Sequence, residues 1–165
     1  MRTVDLLLPE YDSEMATTRK VLERVPDDRG EWKPHEKAFK LAHLAQLVAR
    51  MPEWVVWTIE QTEYDVAPGG KSRGYSVEKT ATLLALFDEN AKAGRAALAK
   101  ATDADFQVSW TLKAAGNPVS TGSRYMMLRQ SVLNHLVHHR AQLGMYLRLT
   151  DQKVPPMYGP TADER

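Results

Sequence analysis

Three of the five histidines in this chain fall within the run Asn134-His135-Leu136-Val137-His138-His139-Arg140. His135 and His139 are four residues apart. On an α-helix that interval stacks two side chains on one face, with Cβ atoms about 5–6 Å apart. Two neutral imidazoles so placed can direct nitrogen lone pairs at one divalent cation. The same pair can equally be a hydrogen-bonded couple inside a core, each ring nitrogen finding a protein partner. The spacing alone leaves both open, because ligation needs a third or fourth group. The chain has no cysteine, which excludes thiolate ligands, disulfides and a cysteine nucleophile.

Four helical segments must position these groups. Met15, Thr18, Leu22 and Val25 mark a first helix over about 9–24, closed by Val25-Pro26-Asp27-Asp28-Arg29-Gly30. Leu41, Leu44, Val48, Met51, Val55 and Ile59 form one apolar stripe of a second helix from about 38, in which Pro52 either kinks the helix or starts a new one. A third helix spans about Val77 to Lys100, with Leu83, Leu84, Leu86, Phe87 and Leu98 inward. Val108-Ser109-Trp110-Thr111-Leu112 then alternates and Gly116-Asn117-Pro118 turns, which fits a short β-like hairpin or an extended crossover. The fourth helix, about 122–150, buries Leu128, Val132, Leu136, His139, Leu143, Tyr146 and Leu147. The tail from Val154 to Pro160 should be extended, ending in a frayed polar terminus. The expected fold is all-α: a four-helix bundle, one domain over 1–165, with a short extended or β-like segment between helices three and four.

With Val132 as origin and about 100° per residue, His139 lies near −20° and His135 near −60°, inside the core-facing stripe. His138 falls off the stripe, where a flank residue is expected. His43 is the natural third ligand, yet its angle lies well away from the centre of the second helix's stripe, which fits a partly exposed polar residue better. His35 should be solvated. Arg124, Arg129, Arg140 and Arg148 read as solvated arginines along a helix flank.

A net charge of +1 gives no overall bias toward nucleic acid. No apolar window approaches a membrane span, and Leu6-Leu7-Leu8 is too short for a signal-peptide core, so a cytoplasmic location is expected.

The run from Asn134 to Leu149 carries the whole pattern H-x-x-H-H-R-x-Q-L-x-x-Y-L-R. With the Val154-to-Pro160 tail, Val25-Pro26 followed by Trp32-Lys33-Pro34-His35, and Met51-Pro52-Glu53-Trp54, it resembles the DinB/YfiT-like family of four-helix-bundle proteins. The resemblance implies a divalent metal, nickel or zinc, on three histidines, two of which match His135 and His139. The third position, counted from either flanking motif, falls on Leu47, which cannot ligate. His43, one turn earlier and displaced by about 6 Å, is the candidate to stand in. The resemblance further implies a homodimer, and a metal-dependent transferase or hydrolase acting on small molecules or low-molecular-weight thiols. The alternative is a non-catalytic bundle without metal that binds a small ligand or a protein partner.

Overall fold

The computed structural model describes residues 1–71, 73–76 and 79–164. Helix α1 (Thr3–Leu22) begins six residues before the expected start. The Asp5 carboxylate accepts the Arg2 backbone N–H at 3.0 Å, and Val4 and Leu7 are buried, so the first turns are both capped and packed. Pro9 therefore sits inside α1 rather than at its start, where its missing N–H leaves the Asp5 carbonyl without an intrahelical donor.

The second expected helix is two. Helix α2 (Leu41–Arg50) and α3 (Glu53–Glu60) meet at Met51-Pro52, where both residues keep helical dihedrals but the bonds tighten to Trp54 N–H on Met51 and Val55 N–H on Pro52. Pro52 is thus the kink. All of Leu41, Leu44, Val48, Met51 and Val55 are buried, as the stripe requires. Helix α4 (Thr80–Lys100) buries Leu83, Phe87 and Leu98; the expected start at Val77 lies outside the described residues. The short α5 (Asp103–Gln107) is capped reciprocally by Thr102 and Asp105.

The purely all-α expectation is corrected by a three-stranded sheet: β1 (Glu63–Asp65) pairs parallel to β2 (Ser109–Ala114), which pairs antiparallel to β3 (Asn117–Ser123). The β2–β3 hairpin is the extended segment expected before the last helix. Its turn is Ala115-Gly116, with φ of 52° and 79°. Ala115 tolerates a left-handed backbone because the Asp65 carboxylate accepts both turn N–H groups, at 3.1 and 2.7 Å. That interaction also locks β1, which is too short to show any alternation in the sequence.

The final rod comprises α6 (Arg124–Met127), a π-helical stretch over Leu128–Asn134, and α7 (His135–Leu149). Helical dihedrals continue through both junctions. Helix α7 packs against α2, and this contact brings the histidine pair toward His43 and Leu47. Among the described residues no helix is long and apolar enough to cross a membrane.

Candidate functional site

The π-helical stretch ends at Asn134, so His135 opens the regular helix and the four-residue interval to His139 is strictly α-helical. The two rings meet with Nε2 to Nε2 at 2.8 Å. His139 is 8% exposed, and its Nδ1 lies 2.8 Å from Gln142 Oε1. An amide oxygen only accepts, so His139 carries its proton on Nδ1 and presents a lone pair at Nε2. The Gln142 amide nitrogen in turn donates to His138 Nε2 at 3.1 Å. Burial lowers the pKa of both His135 and His139. For His135 the neighbouring His139 adds to the lowering, while the Ser131 backbone opposes it; for His139 the Gln142 bond opposes it. The couple is inward-facing, as its helical angles require.

His43 is not a simple solvent-facing residue. Its ring is sandwiched between Phe39 (centroids 4.2 Å apart, interplanar angle 13°) and Tyr75 (3.9 Å, 19°). The residue does lie off the α2 stripe, but the segment around Tyr75 folds over that flank and covers it. Burial lowers its pKa and nearby His139 adds to the effect. A second aromatic run faces this one. Trp54 and Trp57 lie 6.0 Å apart, Trp57 stacks on Tyr64 at 3.6 Å and 10°, and Trp54 meets His135 edge-on at 5.6 Å. The small sheet builds this wall: β1 supplies Tyr64, and Trp110 from β2 donates its indole N–H to the Trp57 carbonyl at 3.1 Å. Between the two runs lies a cavity of about 320 Å³, with Leu47 and Arg50 also in its lining. A smaller-scale group of polar residues, His138, His139 and Gln142, borders a separate cavity of about 400 Å³ on the far side of Phe39.

Leu47 is buried at 9% exposure, on the same cavity wall as His43. Among the described residues no three histidine, aspartate or glutamate side chains come together in a way that could hold a metal ion. The residues present therefore do not form the three-histidine centre implied by the resemblance; two nitrogens converge, and an aliphatic side chain stands at the third position. His35 is exposed, as is His138.

Arg124 and Arg140 correct the solvated-flank reading, whereas Arg148 is exposed as expected and Arg129 is partly so. Arg140 is fully buried, its Nη1 2.7 Å from the Glu14 carboxylate and 3.0 Å from Thr18 Oγ1, its Nη2 2.6 Å from the Tyr158 hydroxyl. Arg124 is 8% exposed and donates to the Gln61 carbonyl. Arg129 pairs with Glu10, and Arg148 with Asp163. The tail is likewise pinned rather than frayed, by Arg148 on Asp163, Arg24 on Glu164, and Tyr158 on Glu14. Long cationic side chains reach carboxylates on other elements, a non-local pairing that a helical wheel does not contain.

Two solved structures share this architecture over almost the full chain. A DinB-like protein from Bacillus cereus ATCC 10987 matches with a TM-score of 0.70 at 18% identity, covering 92% of this chain and 95% of its own. The DinB-like protein YjoA from Bacillus subtilis matches with a TM-score of 0.70 at 16% identity, covering 97% and 99%. No family profile matches the sequence, and no curated protein matches it. At these identities the likeness defines the fold: this is a mostly helical chain with the fold of DinB-like proteins, in keeping with the motif resemblance.

Proposed function

We propose that the chain is a DinB/YfiT-like protein, a single four-helix-bundle domain over residues 1–165, which binds a small molecule in the aromatic cavity beside the His135–His139 couple. The observation that carries this reading is the cavity itself. It is concave, walled by two aromatic runs with few polar groups, and large enough for a metabolite. A cytoplasmic location and a homodimer belong to the same proposal, the latter supported by the family resemblance. Protein-observed NMR against a diverse fragment library tests the central point. Hits whose shifts centre on His43, Trp54 and Trp57 are expected; hits confined to other surfaces would refute it.

The second reading is a divalent-metal site, nickel or zinc. One observation favours it: two Nε2 atoms converge at 2.8 Å on the inner face, and Gln142 orients one of the rings from behind. His135 and His139 would hold the ion, with His43 or a group brought by the ligand completing the set. A bound metal would supply Lewis-acid activation for transferase or hydrolase chemistry on small molecules or thiols. Element analysis of untagged protein decides this reading. A stoichiometric ion lost in His135→Ala supports it, and no uptake after nickel and zinc titration removes it.

A further inference from the structure

We infer that the aromatic cavity selects a flat conjugated ligand of about two fused rings that carries hydrogen-bond-accepting oxygens, a carboxylate or a carbonyl, and discriminates against amines. The inference rests on the reading of this cavity as a small-molecule site and adds the chemistry of its occupant.

Three observations converge on this class. The first is size. A space of about 320 Å³ lies at the small end of small-molecule sites, which suits a bicyclic ring with a short substituent. The second is the walls. Phe39, His43 and Tyr75 form one stacked run and Trp54, Trp57 and Tyr64 the other. Whether these rings present an edge or a face, their quadrupoles favour another aromatic ring over a saturated one of equal volume. The third is the hydrogen-bonding character of the lining. Arg50, Trp54, Trp57 and Arg73 can only donate, and no described lining side chain can only accept. The Gly74 carbonyl takes one Arg50 N–H at 2.9 Å, and Glu53 takes one Arg73 N–H at 2.9 Å. Arg50 has further partners, the Tyr75 ring among them, so the donors left for a ligand are the indole N–H groups of Trp54 and Trp57, for which no bond to a protein acceptor is found among the described residues. A ligand oxygen satisfies such donors; an ammonium group adds a cation and further donors where acceptors are scarce.

Calorimetric titration of the full chain with three probes of similar volume tests this: 2-naphthoate, 2-naphthylmethylamine and decalin-2-carboxylate. The expected result is 2-naphthoate binding about tenfold or more tighter than either of the others. Its binding should shift the indole resonances of Trp54 and Trp57, and Trp57→Leu should weaken it by about tenfold. Because the indole shifts are read on the unmodified protein, the test survives a poorly folded variant. Equal affinity for the decalin acid overturns the planarity claim while leaving a small-molecule site in place. Equal or tighter binding of the amine overturns the acceptor claim in the same way. Absence of indole shifts with all three probes overturns the inference entirely, and the fragment screen then decides separately whether the cavity binds anything else.

Discussion

Arg140 offers the sharpest test of how the rod carrying the histidines is held. It is the largest fully buried side chain, and it joins α7 to α1 and to the tail through Glu14, Thr18 and Tyr158. Arg140→Met keeps most of the apolar stem and removes the guanidinium. The Glu14 carboxylate, with its side chain 12% exposed, then keeps the Tyr158 hydroxyl as its one side-chain hydrogen-bond partner among the described residues. Breaking one side of a buried pair costs about 3–5 kcal/mol, and the remaining Tyr158 bond places this case near the lower end, about 3 kcal/mol. For a chain of this length that corresponds to a fall in melting temperature of roughly 6–12 °C. The double variant Glu14→Leu/Arg140→Met leaves no unpaired charge and should recover most of the loss, because an apolar replacement of a buried pair is often near neutral. Urea unfolding followed by circular dichroism of Arg140→Met, of Glu14→Leu alone and of the double variant gives the coupling energy directly. A loss below about 1 kcal/mol in the single variant, or a double variant as unstable as the sum of the singles, would refute the view that Arg140 is a paired structural cation.

Three further outcomes follow from particular contacts. At Gly94 an added Cβ would meet the Pro52 carbonyl at 2.7 Å and the Tyr11 hydroxyl at 2.5 Å, so Gly94→Ala should be net destabilising, overpacking of about 1–3 kcal/mol exceeding a helix-propensity gain of about 1; a raised melting temperature would contradict this. Arg148, aided by the Val154 N–H, holds the Asp163 carboxyl down at about 2 against an ordinary 3.8. Because the folded value is the lower one, the stabilisation is complete above the ordinary value and disappears as pH falls toward 2; a carboxyl NMR titration of Asp163 with a midpoint at or above 3.8 would show the contact is not made. Leu47→His places an imidazole where the donor set is short, so nickel or zinc should raise the variant's melting temperature far more than the wild type's, about 2.7 kcal/mol at a hundredfold excess over Kd. Equal shifts in both proteins would mean that Leu47 does not face the histidine couple.

What the sequence could and could not disclose follows a physical division. Helical periodicity is a local property, and the buried set Leu128, Val132, Leu136, His139, Leu143 and Leu147 matches the wheel even though the chain passes through a π-helical stretch upstream of His135. The π stretch itself left no readable trace, since its wider turn depends on packing rather than on residue type. Strand β1 was equally hidden, because three residues show no alternation and its partner lies far along the chain. His43 lies off the stripe and is partly exposed, as its angle implies, but the wheel could not show its ring partners. The wheel describes the face that α2 turns to the bundle, whereas Tyr75 arrives from a connecting segment and covers another. For Arg140 a usable signal was present: it lies at about 80° on the same wheel, on the border of the apolar stripe, where a long cation is either solvated or drawn inward to a carboxylate.

The motif H-x-x-H-H-R thereby separates into two tasks that its contiguity conceals. Its arginine closes a buried ion pair with α1, and its first and last histidines face the other way, toward α2 and the aromatic cavity. The structural task is complete within this chain, where Arg140 finds Glu14, Thr18 and Tyr158. The ligand task depends on what α2 contributes, and at the position where the resemblance implies a third histidine stands buried Leu47. A complete motif on α7 is therefore no guide by itself to metal content, because the two halves of the expected site lie on different helices. The chemistry open to the pair turns on the residue opposite it: a third nitrogen would let the two Nε2 atoms share a cation, whereas a leucine supplies no ligand there.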